Sequence, residues 1–395
     1  CGGRSPNAGF GRPVSVRMET GWFVAVRDFS SHLRSDLRFQ AGLTKIESDC
    51  TGQSLWPEQR CPQQRGEFRE ILMYQIRTYF LFLFLMVWGV PLNAQNMSEA
   101  QADALFTQLS NWGRWGETDQ KGTVNLITPE TRIRAARLVQ SGNSVSMAHE
   151  VLEERTADNF SPYEHRMTSI GSSPGPWSGD FIGVSYHGYA HSHLDALCHR
   201  FQFGTMYNGY SEDEVTEEGC AQLSIQAMQD GIFGRGIVMD FPRLRGVDWL
   251  ENGTAITPEW LDEWEAKHGI TVGSGDIVLI RTGRWARREA LGPWNLAADS
   301  AGLHASTVAW FKERDVALIG SDSALDVKPS LVEGYDSPVH ALILVALGMP
   351  IFDNLDLEAV AAEAVREGRV EFLFTTAPLR VNGGTGSPLN PIATF

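Results

Sequence analysis

The pattern of apolar and polar positions divides the chain into an irregular start, one unbroken apolar run and a long region with regular periods. Residues 1–72 are rich in Arg, Gly, Ser and Gln and hold neither a helical nor an alternating period. Residues 79–90 form the apolar run. Beyond residue 95, Ala104, Leu105 and Leu109 recur at helical spacing, and the Trp-rich stretch 111–116 breaks that helix. Residues 122–127 read as a short strand or turn, and residues 129–140 as a helix with Pro129 in its first turn. The stretch 159–180 is dense in Ser, Pro and Gly, which predicts a long loop of the kind that serves as a lid.

Residues 181–197 alternate as an extended segment does, and 231–241 and 276–282 are β-branched apolar runs bounded by turn residues. Residues 257–268 predict a helix, with Thr257 as its cap, Pro258 at its first position and Gly269 at its end. A helix over 305–315 then feeds a strand over 316–319. Further on, 338–347 and 357–367 predict helices and 370–377 a strand. Without repeats or an internal linker, residues 95–395 read as one α/β domain, a mixed β-sheet flanked by helices.

The apolar run follows Met73, Arg77 and Thr78 and ends at Pro91-Leu92-Asn93-Ala94. A basic start, an apolar centre and a small-residue exit are the layout of a secretory signal peptide. The run is also short of the roughly twenty residues that span a bilayer. Residues 73–94 are therefore expected to be a signal peptide cut near Ala94, and residues 1–72 to be upstream sequence read in frame. The expected destination is secreted or periplasmic, with no stable membrane insertion after processing.

The chain has a formal net charge of −15 and 21% charged residues, with no cluster of Lys and Arg. That argues against nucleic acid as a partner. Two cysteines, Cys198 and Cys220, remain after residue 94. Export would permit a disulfide between them, but Cys198 lies inside a histidine cluster, which favours two free, partly buried thiols.

That cluster is His187-Gly-Tyr-Ala-His191-Ser-His193-Leu-Asp195-Ala-Leu-Cys-His199, with four of the ten histidines of the chain. On an extended strand His187, Tyr189, His191, His193 and Asp195 would share one face. Imidazole and carboxylate together suit Zn, Mn or Fe. Several imidazoles on one face repel when protonated and must find a use or a partner, which favours an ion over a wet strand face with ordinary hydrogen bonds. A Cys198 nucleophile is set aside, because adjacent residues rarely bring their side chains into mutual reach. The Gly-rich 383–386 lacks the Lys and the strand-loop-helix setting of a phosphate loop.

These residues resemble the kynurenine-formamidase-like cyclase family, which includes bacterial arylformamidases and isatin hydrolases and carries a His-x-Gly-Thr-His-x-Asp-x-Pro-x-His signature. His193, Asp195 and His199 coincide with its second half. Tyr189 stands at the first His, His191 at the Gly, Ser192 at the Thr and Leu197 at the Pro. Residues 316–322, ending at Asp322, are similar to the family's strand ending in Gly-x-Asp. Ser337-Pro-Val-His340 and Gly348-Met-Pro-Ile-Phe-Asp353-Asn-Leu are similar to the stretch that supplies a further His and an acid, with Asp353 in place of the usual Glu.

The resemblance implies a swivelling β/β/α fold, a homodimer or higher homo-oligomer, and one or two divalent ions, Zn or Mn. His193, Asp195, His340 and Asp353 would be ligands, with His191 as a substitute for the missing first His. Asp322 could equally orient a ligand imidazole from outside. His199 would be the general acid/base for a small amide or cyclic amide substrate, bound among Tyr189, Trp177, Phe201 and Tyr207. Ring closure or dehydration at the same metal, and an exported binding protein without chemistry, are the competing expectations.

Overall fold

The computed structural model describes residues 96–395. The upstream and signal-peptide expectations fall on residues 1–94 and lie outside the described residues. The strands used below are, in chain order, β1 (Ser144–Ser146), β2 (Glu164–Ser169), β3 (Gly179–Gly183), β4 (His193–Asp195), β5 (Ile232–Asp240) and β6 (Ile277–Arg281). They continue with β7 (Leu318–Ser321), β8 (Ile351–Asp353), β9 (Glu371–Thr376), β10 (Gly386–Pro388) and β11 (Ile392–Thr394).

Nine of these strands form a mixed sheet in the order β1-β11-β9-β5-β6-β7-β8-β4-β10. Strands β5 to β8 run parallel at its centre. Every residue of β6 and β7 is buried. Since successive side chains point to opposite faces, both faces there are covered, which is why these strands read as continuous apolar runs rather than alternating ones. The flanks are antiparallel: β9 pairs with β5 and β11, and β4 with β8 and β10. The result is one mixed α/β domain, as the periodicity predicts.

The helices follow their start and stop signals. Ser98 and Gln101 make a reciprocal cap on Glu99–Leu109. Pro258–His268 ends at Gly269 in the left-handed region, although the Thr257 hydroxyl makes no capping bond. The expected helix over 338–347 forms as a single α-turn, Pro338–His340, that widens into a fully buried π-turn, Ala341–Leu347. Among the described residues no helix is long and apolar enough to cross a membrane.

Several local expectations give way. Residues 122–127 form a 3-10 helix, Gly122–Leu126. The loop over 159–180 contains β2 and the start of β3, which pair as a separate hairpin. The extended segment over 181–197 is not one strand: β3 ends at Gly183, residues 187–190 turn, and β4 begins at His193. Gly188 has φ +125°, open to glycine but strained for other residues, so the chain can reverse there. Cys198 and Cys220 are not free thiols but a disulfide, with Cα atoms 6.4 Å apart. Cys198 sits on the 3-10 turn Leu197–His199 and Cys220 in a short strand pair, two elements that only the folded chain brings within bridging distance.

Candidate metal centre

Strand β4 is three residues long and buried throughout. Its alternation sends Leu194 to one face and His193 and Asp195 to the other. Across the ladder His193 faces Asp353 of β8, so an imidazole and a carboxylate meet as a directly opposed pair. On its other side Asp195 faces Gly386 of β10. A Cβ at Gly386 would sit 3.2 Å from the His187 ring and 2.5 Å from the Leu194 carbonyl oxygen, so only glycine leaves room for His187 at this edge.

The turn over 187–190 swings His187 back onto β4, with Nδ1 3.0 Å from Asp195 Oδ1. His193 Nε2 lies 3.3 Å from the same oxygen and His199 Nε2 3.9 Å from Oδ2. His340 Nε2 is 3.2 Å from Asp353 Oδ2. Two triplets, His187/Asp195/His199 and His193/Asp195/Asp353, each hold ligand atoms within 4.8 Å of one another, and Asp195 belongs to both. The shared carboxylate fits a centre of one ion or of two.

Three of the imidazoles are tied at the nitrogen that faces away from Asp195 and Asp353. His193 Nδ1–H donates to the His191 carbonyl at 2.8 Å. His340 Nδ1–H donates to Asp326 Oδ2 at 2.6 Å, while Asp326 also accepts from the Val339 and His340 amides. His187 Nε2 bonds Thr385 Oγ1 at 2.8 Å. The His193 and His340 tethers fix the tautomer and turn Nε2, with its lone pair, toward Asp195 or Asp353, and the Thr385 tether turns His187 Nδ1 toward Asp195, as metal-ligating histidines are held. His199 has no such tether among the described residues; its ring stacks on His187 at 3.8 Å, nearly parallel.

Both carboxylates are buried, yet neither oxygen of Asp195, nor Oδ1 of Asp353, receives a hydrogen bond. A buried ionised carboxylate without donors is costly, so the cluster calls for a cation. Nitrogen and oxygen donors in this mixture suit a divalent metal ion. Protons compete for the same place. Burial opposes charge on Asp195, but His199, His187 and His193 outweigh it and hold this carboxyl well below its ordinary range. Burial raises Asp353, with His340 working against the rise. Burial would lower His193 and His340, but the facing carboxylates push both up, His340 strongly. For His199 burial prevails and brings the imidazole down to about 4.

Of the expected ligands, His193, Asp195, His340 and Asp353 come together, and His199 stands beside them. His191 does not join. With the segment bent rather than extended, its side chain leaves the shared face and its Nε2 donates to the Ser161 carbonyl at 3.1 Å. His187, which lies two residues before the position of the family's first His, takes the place beside Asp195; its lead was membership of the histidine run, and its tether Thr385 had no sequence signal. The acid that orients a ligand imidazole is Asp326. Asp322 instead accepts the amides of Thr282, Gly283 and Arg284 at the start of the helix Arg284–Leu291.

The expected substrate contacts separate too. Tyr189 remains near the cluster: burial first, then Asp336, Asp353 and Asp326, push its phenol up to about 12, so it stays protonated. Tyr207 belongs to the core, fully buried, with its hydroxyl donating to Asp119 at 3.2 Å. Trp177 and Phe201 are 68% and 38% exposed. An aromatic side chain in the sequence does not tell pocket from core or surface.

A mixed sheet whose short inserted strand carries a His/Asp centre defines the class of protein. The family described as putative cyclase matches residues 123–325. A crystal structure of a novel cyclase is 32% identical, with a TM-score of 0.67, over 73% of this chain and 99% of that one. The chain belongs to the cyclase family. It is also similar to isatin hydrolase A from Ralstonia solanacearum, at 20% identity over 64% of this chain and 91% of that one, TM-score 0.47. A predicted metal-dependent hydrolase from Bacillus stearothermophilus is 14% identical over 64% of this chain and 97% of that one, TM-score 0.41. No curated protein matches.

Proposed function

We propose that this chain is a divalent-metal-dependent hydrolase that opens a small amide or cyclic amide. The observation that carries the reading is the set of three tethered imidazoles aimed at two buried carboxylates whose oxygens otherwise lack donors. His187, His193, Asp195, His340 and Asp353 would hold Zn or Mn. A bound divalent ion supplies Lewis-acid polarisation of a carbonyl and a lowered water pKa.

The rest falls to the chain's own side chains. His199, untethered and about a third exposed at its side chain, is neutral at neutral pH and can take a proton at Nε2 and return it to a leaving nitrogen. The Tyr189 phenol, protonated throughout the working range, can donate to a carbonyl oxygen. The resemblance of the histidine run to arylformamidases and isatin hydrolases suggests the bond type.

The deciding assay is a panel of formamides, lactams, isatin and aryl esters, run with Mn-loaded, Zn-loaded and metal-stripped protein. Turnover of at least one amide only when metal is present is expected. Tight metal binding with no turnover of any member would favour a binding protein, and loss of water from a hydroxylated cyclic precursor would favour ring-forming chemistry.

We also propose export and self-association. The Cys198–Cys220 disulfide supports an oxidising compartment. The isolated β2/β3 hairpin exposes Met167, Phe181 and Ile182, with Ile170 and Trp177 in the connection between its strands. A lone hairpin is marginal in water, so cover by a second copy would suit it. Native protein starting near Gln95 and a dimeric mass in sedimentation are the expected results; a cytosolic protein with residues 80–90 intact, or a monomer, would reject each in turn.

A further inference from the structure

The turn that sets the distance between His187 and His193 is held at its carbonyls by residues that touch no acid of the centre. Asn354 Nδ2 donates to the Gly188 carbonyl at 2.7 Å and reaches the His191 carbonyl at 3.5 Å. Arg284 Nη2 donates to the Tyr189 carbonyl. Arg284 Nη1 also donates to Asn354 Oδ1 at 3.3 Å, so one guanidinium grips the turn and the side chain that grips it. Asn354 follows Asp353 in the chain and takes φ +55°, a left-handed conformation that Asn and Asp tolerate best after Gly. The clamp therefore joins both ligand-bearing segments, the His187–His193 turn and the end of β8.

The guanidinium is itself fixed. Its side chain is 1% exposed, it lies 3.7 Å over the Trp285 ring, and its backbone amide donates to Asp322. Asp158, fully buried, accepts from Arg284 Nη2 at 3.2 Å and from Arg288 Nε at 2.6 Å. Burial lowers the Arg284 pKa to about 10, and Asp158 helps it remain charged at neutral pH. A planar fork can serve the Tyr189 carbonyl, the Asn354 amide and the Asp158 carboxylate at once; an ammonium on a flexible stem cannot span all three with the same geometry.

We infer that Arg284, working with Asn354, is a positioning residue of the metal centre: it fixes the Gly188–His191 turn so that His187 and His193 converge on Asp195. This rests on the metal-centre reading above. Removing such outer partners costs about 10- to 100-fold in metal affinity.

The test is titration of chelator-stripped full-length protein with Mn(II) and with Zn(II), alongside melting temperature. Arg284→Lys should weaken affinity about 10- to 100-fold in the folded protein. Asn354→Asp keeps the left-handed tolerance, loses the amide donors and should weaken it in the same direction, which decides the matter if Arg284→Lys does not fold. Arg281→Lys is the control: Arg281 is buried and paired with Asp240 and Glu358 but makes no contact with the turn, so it should lower melting temperature and leave affinity unchanged. Wild-type affinity in folded Asn354→Asp and Arg284→Lys, with metal bound by the parent, would overturn the positioning role alone. A parent that binds neither ion would overturn the metal centre and this role with it.

Discussion

Two buried carboxylates are linked to the turn over residues 187–190, Asp158 through Arg284 and Asp195 through His187, and they are finished in opposite ways. Asp158 accepts from Arg288, Arg284 and Thr156, so both its oxygens have donors. Asp195 is equally buried, yet neither of its oxygens receives a hydrogen bond, although three imidazole nitrogens stand within 4 Å. The first carboxylate is complete within the protein and serves to hold segments together. The second is arranged for something the protein does not itself supply. Burial and charge alone do not mark a functional site; unfilled hydrogen-bonding capacity among oriented donors does.

The largest test of this contrast is to remove the incomplete partner. Asp195→Ala or His193→Ala should take bound metal from about one or two ions per chain to near none after dialysis, measured by elemental analysis. Undiminished metal in both variants would end the distinction. Next in size, His199→Ala should keep its metal and fold but lose roughly two to four orders of magnitude in turnover on whichever substrate the panel identifies. Metal lost together with activity would make His199 a ligand, and full activity would remove it from the chemistry.

A smaller effect probes the support for His199 from outside both charge clusters. The disulfide closes a loop with a sequence separation of 22 and fastens the turn that carries His199. Cys220→Ser should cost about 3 kcal/mol of unfolding free energy in the chain-entropy account, read from denaturant melts. The gap from wild type should close under reducing conditions. An equal gap in reductant would show that the bridge is not what the substitution removes.

Much of this was legible beforehand. Continuous apolar runs announced β5, β6 and β7, Gly269 and Pro258 bracketed their helix, and His193-x-Asp195 needed only the period of a strand to share a face. What was hidden depended on three-dimensional closure. His191 read as a ligand because alternation was carried through a segment that in fact turns at Gly188. His187 gained its place by that same reversal. Asp326, Thr385 and Arg284 are 131, 190 and 89 positions beyond Asp195 in the numbering, and nothing near them in sequence points to the imidazoles or the turn that they hold. The disulfide is hidden for a like reason: in sequence Cys198 lies inside the histidine cluster, and only the folded chain brings Cys220 to it.

The smallest expected effect bears on the completed carboxylate. Burial would raise the Asp158 pKa, but its bonds to Arg288 and Thr156 and the charges of Arg284 and Arg288 outweigh it and leave the group below its ordinary value. A folded value lower than the unfolded one means the ionised form is favoured in the native state. The stability this supplies is present above the unfolded pKa, about 3.9, and disappears as pH falls through the folded value, since below both the group is protonated in either state. Asp158→Asn cannot titrate there and lacks this contribution at every pH. The variant should be less stable than wild type at neutral pH, with a difference that stays level down to about pH 5 and shrinks as pH falls below about 4. Asp195 and the other acids are common to both proteins and largely cancel in the comparison. Denaturant melts across that range give the difference directly, and one that remains constant into the acid limb would show that Asp158 is not held as a carboxylate in the fold.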